Sequence, residues 1–324
     1  MSAMGGLRAI VIGRAGMDLA PEPPGVAIED AETFSSSLGG SAANIAAGIS
    51  RLGGSSALLT RLSDDPVGVY CIKQLEAFGV STELVTLSRS ETRSSLALSE
   101  ARLENHRTLI YRNNASDLTL STDDLFGIDW AAWGDLVVTG TALAQEPSRA
   151  ATFEALRSAK AHRLRTVIDI DYRPYSWASP EDAAKTLMRA AKLCDVIVAN
   201  DEEFAVIANG EDGYNVAQDL GAREGRLVVY KMGAQGSHTF ANGLLIETGI
   251  RKVSPLKPTG AGDAFLAALL SATAAGETIA ISVDFASTAA AIVVTRPGCA
   301  PAMPTEAEIK DFAANNPMTP PSKK

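Results

Sequence analysis

Short runs rich in β-branched residues recur along this chain, at RAIVIG (8–13), SALLTRL (56–62), DLVVTG (135–140), TVIDID (166–171), DVIVAN (195–200) and RLVVYKMG (226–233). Each is nearly continuously apolar, a pattern that suits a strand buried on both faces. Stretches with helical periodicity lie between them, at 41–54, 148–162 and 180–194. Parallel strands need a crossover of a dozen or more residues, and a helix is the usual one. The alternation therefore points to an α/β fold in which a mostly parallel, doubly wound sheet is covered by helices on both sides.

Two segments break this rhythm, approximately 17–36 and 93–114. In the second, polar and apolar residues alternate as in a sheet with one wet face, so the two are read as a small β-sheet lid on a single domain spanning 1–316. Ala-rich helices are expected at roughly 260–275 and 277–293, and a last helix near 305–314. The segment 317–324, with its prolines and lysines, reads as a disordered tail.

Composition narrows the function. A formal charge of -9 argues against a broad basic surface for nucleic acid. No stretch approaches the roughly 18 apolar residues of a membrane span, and the run Ala9–Ile12 is too short for a signal-peptide core, so a cytoplasmic protein is expected. Cys71, Cys194 and Cys299 are far apart and form no CxxC pair, and His106, His162 and His238 do not share a helical face. Buried thiols follow, and any metal is expected to be Mg²⁺ held by oxygen.

The strongest chemical signal is Thr259-Gly260-Ala261-Gly262-Asp263, which opens an apolar helix. Glycine turns before a helix N-terminus bring unpaired amides close to an anion. An aspartate there cannot attract phosphate, but it can accept a proton from an attacking hydroxyl. Taken alone, an ordinary acidic first turn explains Asp263 equally well. A second glycine turn, Gly39-Gly40, precedes another helix and carries Asn44 one turn in. These residues could grip sugar hydroxyls, or simply form a turn with Ser41 as helix cap.

Together, LGGSAANIA (38–46) and PTGAGDAF (258–265) resemble the two signatures of the ribokinase-like, or PfkB, carbohydrate kinases. The resemblance extends over essentially the whole chain. It implies a three-layer α/β/α sandwich with a β-lid, ATP and Mg²⁺ as cofactors, an anion hole at Gly260, Ala261 and Gly262, and Asp263 as base. It also implies a sugar-binding role for Asp18 in GRAGMDL, beside Gly39, Gly40 and Asn44. Asn200 and Glu203 in NDEEF match an element that serves Mg²⁺ and phosphate through water, which makes Glu203 a water-mediated metal contact. Lys231, Gly233 and Gly236 in KMGAQG, with Thr259, match the wall along the nucleotide phosphates.

Arg112 in LIYRNNA and Arg173 in DYRPYSW resemble arginines of the family's sugar-acid kinases and imply a sugar acid as substrate, since guanidinium pairs bidentately with carboxylate. A neutral sugar, or a non-catalytic sugar sensor, stays as the alternative. Where many family members have an aspartate that helps bind K⁺, this chain has Lys257, and lysine has no lone pair to offer when charged. Activation by K⁺ is therefore not expected. A homodimer through the lid is expected from the family. An oxidoreductase is disfavoured because GRAGMD is not G-x-G-x-x-G, and a Walker NTPase because G-x-x-x-x-G-K-S/T is absent.

Overall fold

The structure is a computed structural model that describes residues 6–102 and 106–320. Strand β1 (Arg8–Ile12) leads through a short turn into β2 (Gly16–Glu22) and β3 (Thr33–Gly39), after which α1 (Ser41–Arg51) returns the chain to β4 (Ser55–Ser63). Then come α2 (Pro66–Ala77), β5 (Val85–Ser88), β6 (Ser95–Ser99) and β7 (Thr108–Tyr111). The central α/β repeats follow as β8 (Asp135–Thr139), α3 (Ser148–Ala161), β9 (Arg165–Asp169), α4 (Pro180–Leu193) and β10 (Val196–Asn200). Next are α5 (Asp201–Ala208), α6 (Gly213–Gly221), β11 (Leu227–Lys231), β12 (Ser237–Ala241), β13 (Leu244–Thr248) and β14 (Ile250–Arg251). The chain closes with α7 (Ala261–Ala274), α8 (Ile279–Val293), α9 (Glu306–Asn315) and β15 (Met318–Thr319).

The main sheet runs β13-β12-β11-β10-β9-β8-β1-β4-β5. Pairing is parallel from β5 to β11 and antiparallel where β12 and β13 extend the edge. Successive residues of a strand face opposite sides. Thus Ala9 and Val11 of β1 enter the core shared with α1, α7, α8 and α9, while Ile10 and Ile12 enter the core shared with α3, α4, α5 and α6. A one-residue register slip would exchange these sets, so the apolar run specifies both the pairing and the three layers.

The two segments that broke the rhythm form a separate four-stranded sheet, ordered β3-β2-β6-β7. Asp18 lies opposite Ser37 in its antiparallel β2–β3 pair. The tail departs from its expected disorder. Met318 and Thr319 pair with Arg251 and Ile250, and the Arg251 guanidinium donates to the Asn316 carbonyl; backbone pairing and this anchor hold what composition alone reads as loose. Residues 321–324 of that segment lie outside the described residues. All three cysteines are buried and unpaired. Among the described residues no helix is long and apolar enough to cross a membrane.

Candidate functional site

A cleft of about 1280 Å³ opens between the small sheet and the C-terminal ends of the parallel strands, where α/β sheets bind their ligands. Asp169 ends β9, Asn200 ends β10 and Lys231 ends β11, and all three line it. From the other side it is closed by the N-termini of α1 and α7, which pack against each other. Gly48 of α1 faces Ala267 of α7 so closely that an added Cβ would stand 2.7 Å from the alanine methyl.

This contact brings the two glycine turns together. Gly260, the N-cap of α7, has φ 84, a conformation that disfavours a side chain, and the α7 amides that follow have no intrahelical acceptors. Asp263 is buried in the first turn of α7. Its Oδ1 accepts from Ser41 Oγ at 2.6 Å and its Oδ2 from Asn44 Nδ2 at 2.8 Å. Burial raises its pKa, and the neighbouring Asp171 adds to this; hydrogen bonds from Ser41 and Asn44 and the charge of Arg173 oppose it without cancelling it. The result is a carboxylate held in one orientation and more basic than usual, with its partners on α1.

Asn44 gives its Nδ2 to Asp263, while its buried Oδ1 has no partner and faces the cleft as an acceptor for a ligand. Asp18 on β2 offers a second such acceptor. A Cβ at Gly39 of β3 would lie 1.9 Å from Asp18 Oδ1, so only glycine lets the two strands and this carboxylate coexist. Asp18 Oδ1 is buried without a partner, and burial raises its pKa against the pull of Arg14. Unsatisfied buried acceptors are costly, and hydroxyl donors of a ligand would satisfy this one. Gly40 lines the same wall.

On the opposite side, Lys231 Nζ is 3.2 Å from the position a Cβ on Gly262 would take and 3.9 Å from Asp169 Oδ1. Burial works against its charge, but Asp169, Glu203, Asp263 and Asp171 outweigh burial and raise its pKa. Gly233, Gly236 and Thr259 continue this wall. A buried ammonium beside free helix amides suits a phosphate.

Asn200 and Glu203 form a capping box at the start of α5. Glu203 Oε2 accepts from the Asn200 amide at 2.8 Å and Oε1 from the Tyr172 amide at 3.2 Å. Both carboxylate oxygens are thus engaged by the backbone, consistent with contact to a metal through water. No group of three or more His, Cys, Asp or Glu residues is arranged as a metal cage among the described residues. The donor chemistry nevertheless fits Mg²⁺, which keeps several waters and leans on substrate phosphates. Asp169, Asp171, Glu203 and Asp263 crowd negative charge here, and burial together with these neighbours raises the Asp169 pKa.

Residues 7–306 match the profile of the pfkB family carbohydrate kinases. The chain belongs to that family. It is 38% identical to the 5-dehydro-2-deoxygluconokinase of Photobacterium profundum, over 94% of each chain. It is 34% identical to that of Bacillus licheniformis, over 94% of this chain and 95% of the other. A fructokinase double mutant of Vibrio cholerae O395, solved with fructose, ADP and a potassium ion, superposes with a TM-score of 0.83 at 26% identity, covering 96% of this chain and 99% of that one. The molecule is a carbohydrate kinase with the ribokinase-like sandwich.

Arg112 and Arg173 both line the kinase's cleft, each beside a carboxylate. Arg112 is buried, its Nε donating to Asp117 at 3.1 Å and its Nη2 to the Thr141 carbonyl at 3.1 Å, so Asp117 already serves it as counter-ion. Arg173 lies 2.8 Å from Asp171 Oδ1. The sequence reading passed over Ser41 as a helix cap, and did not single out Arg14, Asp169, Asp171 or Tyr175, all of which line the pfkB kinase's cleft. Asp169 and Asp171 carried a signal, their place at the C-terminal end of a buried strand. Arg14 carried none beyond lying in GRAGMD next to Asp18.

Proposed function

We propose that this kinase transfers the γ-phosphoryl group of ATP to the C6 hydroxyl of 5-dehydro-2-deoxy-D-gluconate, the sugar acid of myo-inositol breakdown, and does so in the cytoplasm. The observation that carries the reading is Asp263, a buried and basic carboxylate oriented by Ser41 and Asn44 at the mouth of an amide-lined helix N-terminus. The names of the curated relatives support the choice of sugar acid.

In this reading Asp18 accepts hydrogen bonds from sugar hydroxyls and Asp263 accepts the proton of the attacking hydroxyl. The amides of Gly260, Ala261 and Gly262 and the ammonium of Lys231 stabilise charge on the transferred group. Asn200 and Glu203 would hold Mg²⁺ through ordered water. Bound Mg²⁺ would neutralise the β- and γ-phosphate oxygens. The small sheet excludes water as a competing acceptor. Most of the acceleration comes from positioning.

Lys257 belongs to the same reading. Its side chain is buried and its Nζ donates to the Thr259 carbonyl, beside the turn that carries the anion hole. The ammonium takes over the neutralising role of a bound monovalent cation, so turnover is expected to be equal in sodium, potassium and bulky organic-cation buffers. Several-fold activation by potassium would overturn that part.

The test of the whole is ADP release with Mg·ATP against 5-dehydro-2-deoxygluconate, 2-keto-3-deoxygluconate, fructose and ribose. Preference for the first in kcat/KM supports the proposal. Preference for a neutral sugar leaves a carbohydrate kinase with a different acceptor.

A further inference from the structure

Four arginines line the cleft among the described residues, and they are not equally occupied. Arg112 has Asp117, Arg173 has Asp171 and Arg251 has Asp284 as counter-ions. Arg14, in the turn between β1 and β2, donates from Nη1 to Ser95 Oγ at 2.9 Å, a neutral acceptor, and makes no ion pair among the described residues. It is half-buried and lines the cleft. A guanidinium withdrawn from water without a counter-ion is costly, and a ligand anion removes that cost through charge-assisted, planar hydrogen bonds.

The surroundings point the same way. Arg112 Nη1 is a buried donor with no partner. Ser95, which holds Arg14, and Arg112 itself flank the Leu96–Tyr111 pair of β6 and β7, and Tyr175 lines the same cleft.

We propose that this corner is a carboxylate subsite in which Arg14 pairs with the acid group of the substrate and thereby selects sugar acids over neutral sugars. The proposal rests on the sugar-acid reading given above. Arg14 is then a specificity determinant, and Arg112 and Tyr175 complete the corner.

The experiment compares wild type, Arg14→Gln and Arg14→Lys on 5-dehydro-2-deoxygluconate and on fructose. The acid-to-fructose ratio of kcat/KM should fall at least about 100-fold in Arg14→Gln, mostly through KM for the acid, as when one partner of a desolvated charge pair is removed. Arg14→Lys, which keeps the charge but loses the fork, should recover part of the ratio. If fructose turnover is too slow to measure, inhibition by D-gluconate against inhibition by sorbitol supplies the comparison. An acid preference intact in Arg14→Gln overturns the proposal and leaves the sugar-acid reading standing. An Arg14→Gln loss equal on both substrates also overturns it, assigning Arg14 to the support of Asp18. A wild type with no preference for the acid overturns both.

Discussion

Asp263 owes its proposed chemistry to being buried and, at the same time, hydrogen-bonded, and the two influences oppose each other. Burial favours the protonated form, while Ser41 and Asn44 donate to the ionised form and favour that. A base must be ionised to act, so activity is present above its pKa and lost as pH falls through it. Because the pKa is raised, the acid limb of kcat/KM against pH is expected above the ordinary aspartate value of about 3.9. Ser41→Ala removes a donor to the charged form, raises the pKa further and should move that limb to higher pH; a full pH–rate profile of the variant checks this. Asp263→Asn should lower kcat by about 10²–10⁴, the usual worth of a positioned base, while calorimetry still detects ATP and sugar binding.

At the scale of elements, the site depends on a close approach between β2 and β3. Gly39→Ala would put a methyl 1.9 Å from Asp18 Oδ1, so either the small sheet opens or Asp18 turns away. The expected outcome is a KM for sugar raised about tenfold or more, with a lowered Tm, read by steady-state kinetics and thermal unfolding. This geometry also explains what sequence could reveal. Gly39 and Gly260 were legible because a close approach and a positive φ leave their mark in residue type. Six strands of the main sheet were legible because burial on both faces demands unbroken apolar runs, and β1, β4, β8, β9, β10 and β11 fall where such runs lie. The bond from Asn44 to Asp263 was hidden because the partner stands 219 residues away in the chain. The counter-ion of Arg112 cannot be read from LIYRNNA, because only the fold buries it against Asp117. Arg14 is the converse case, since lacking a counter-ion is a property of three-dimensional surroundings. The tail was misread because composition speaks of chain entropy, while two ladder residues and the Arg251 anchor act only after folding.

The molecule as a whole leaves the β7 edge of one face of its small sheet exposed. Thr108 and Ile110 of β7 line the cleft, so the alternating Leu109 and Tyr111 point away from it, and they are 50% and 59% exposed. Leu98 and Leu96, their partners in register on β6, share that outward face. Adjacent outward apolar side chains are unusual on a monomer, and a second copy of the chain is the expected occupant. Sedimentation should find a dimer, and Leu109→Glu with Tyr111→Glu should give a monomer. A wild-type monomer at micromolar concentration would remove this expectation.

In the reading proposed for Lys257, the residue changes which external variable the kinase answers to. A bound ion has a dissociation constant, so its occupancy follows the ionic composition of the surroundings. A tethered ammonium has none; it cannot be diluted, exchanged or outcompeted, and its presence follows acidity alone. Burial lowers its pKa from the ordinary lysine value, against the pull of Cys299, Asp263 and Asp18. The charge is therefore lost on the alkaline side sooner than an exposed lysine would lose it. Such an enzyme would be indifferent to which monovalent cation surrounds it and should lose turnover at a pH where an ion-dependent relative keeps its metal.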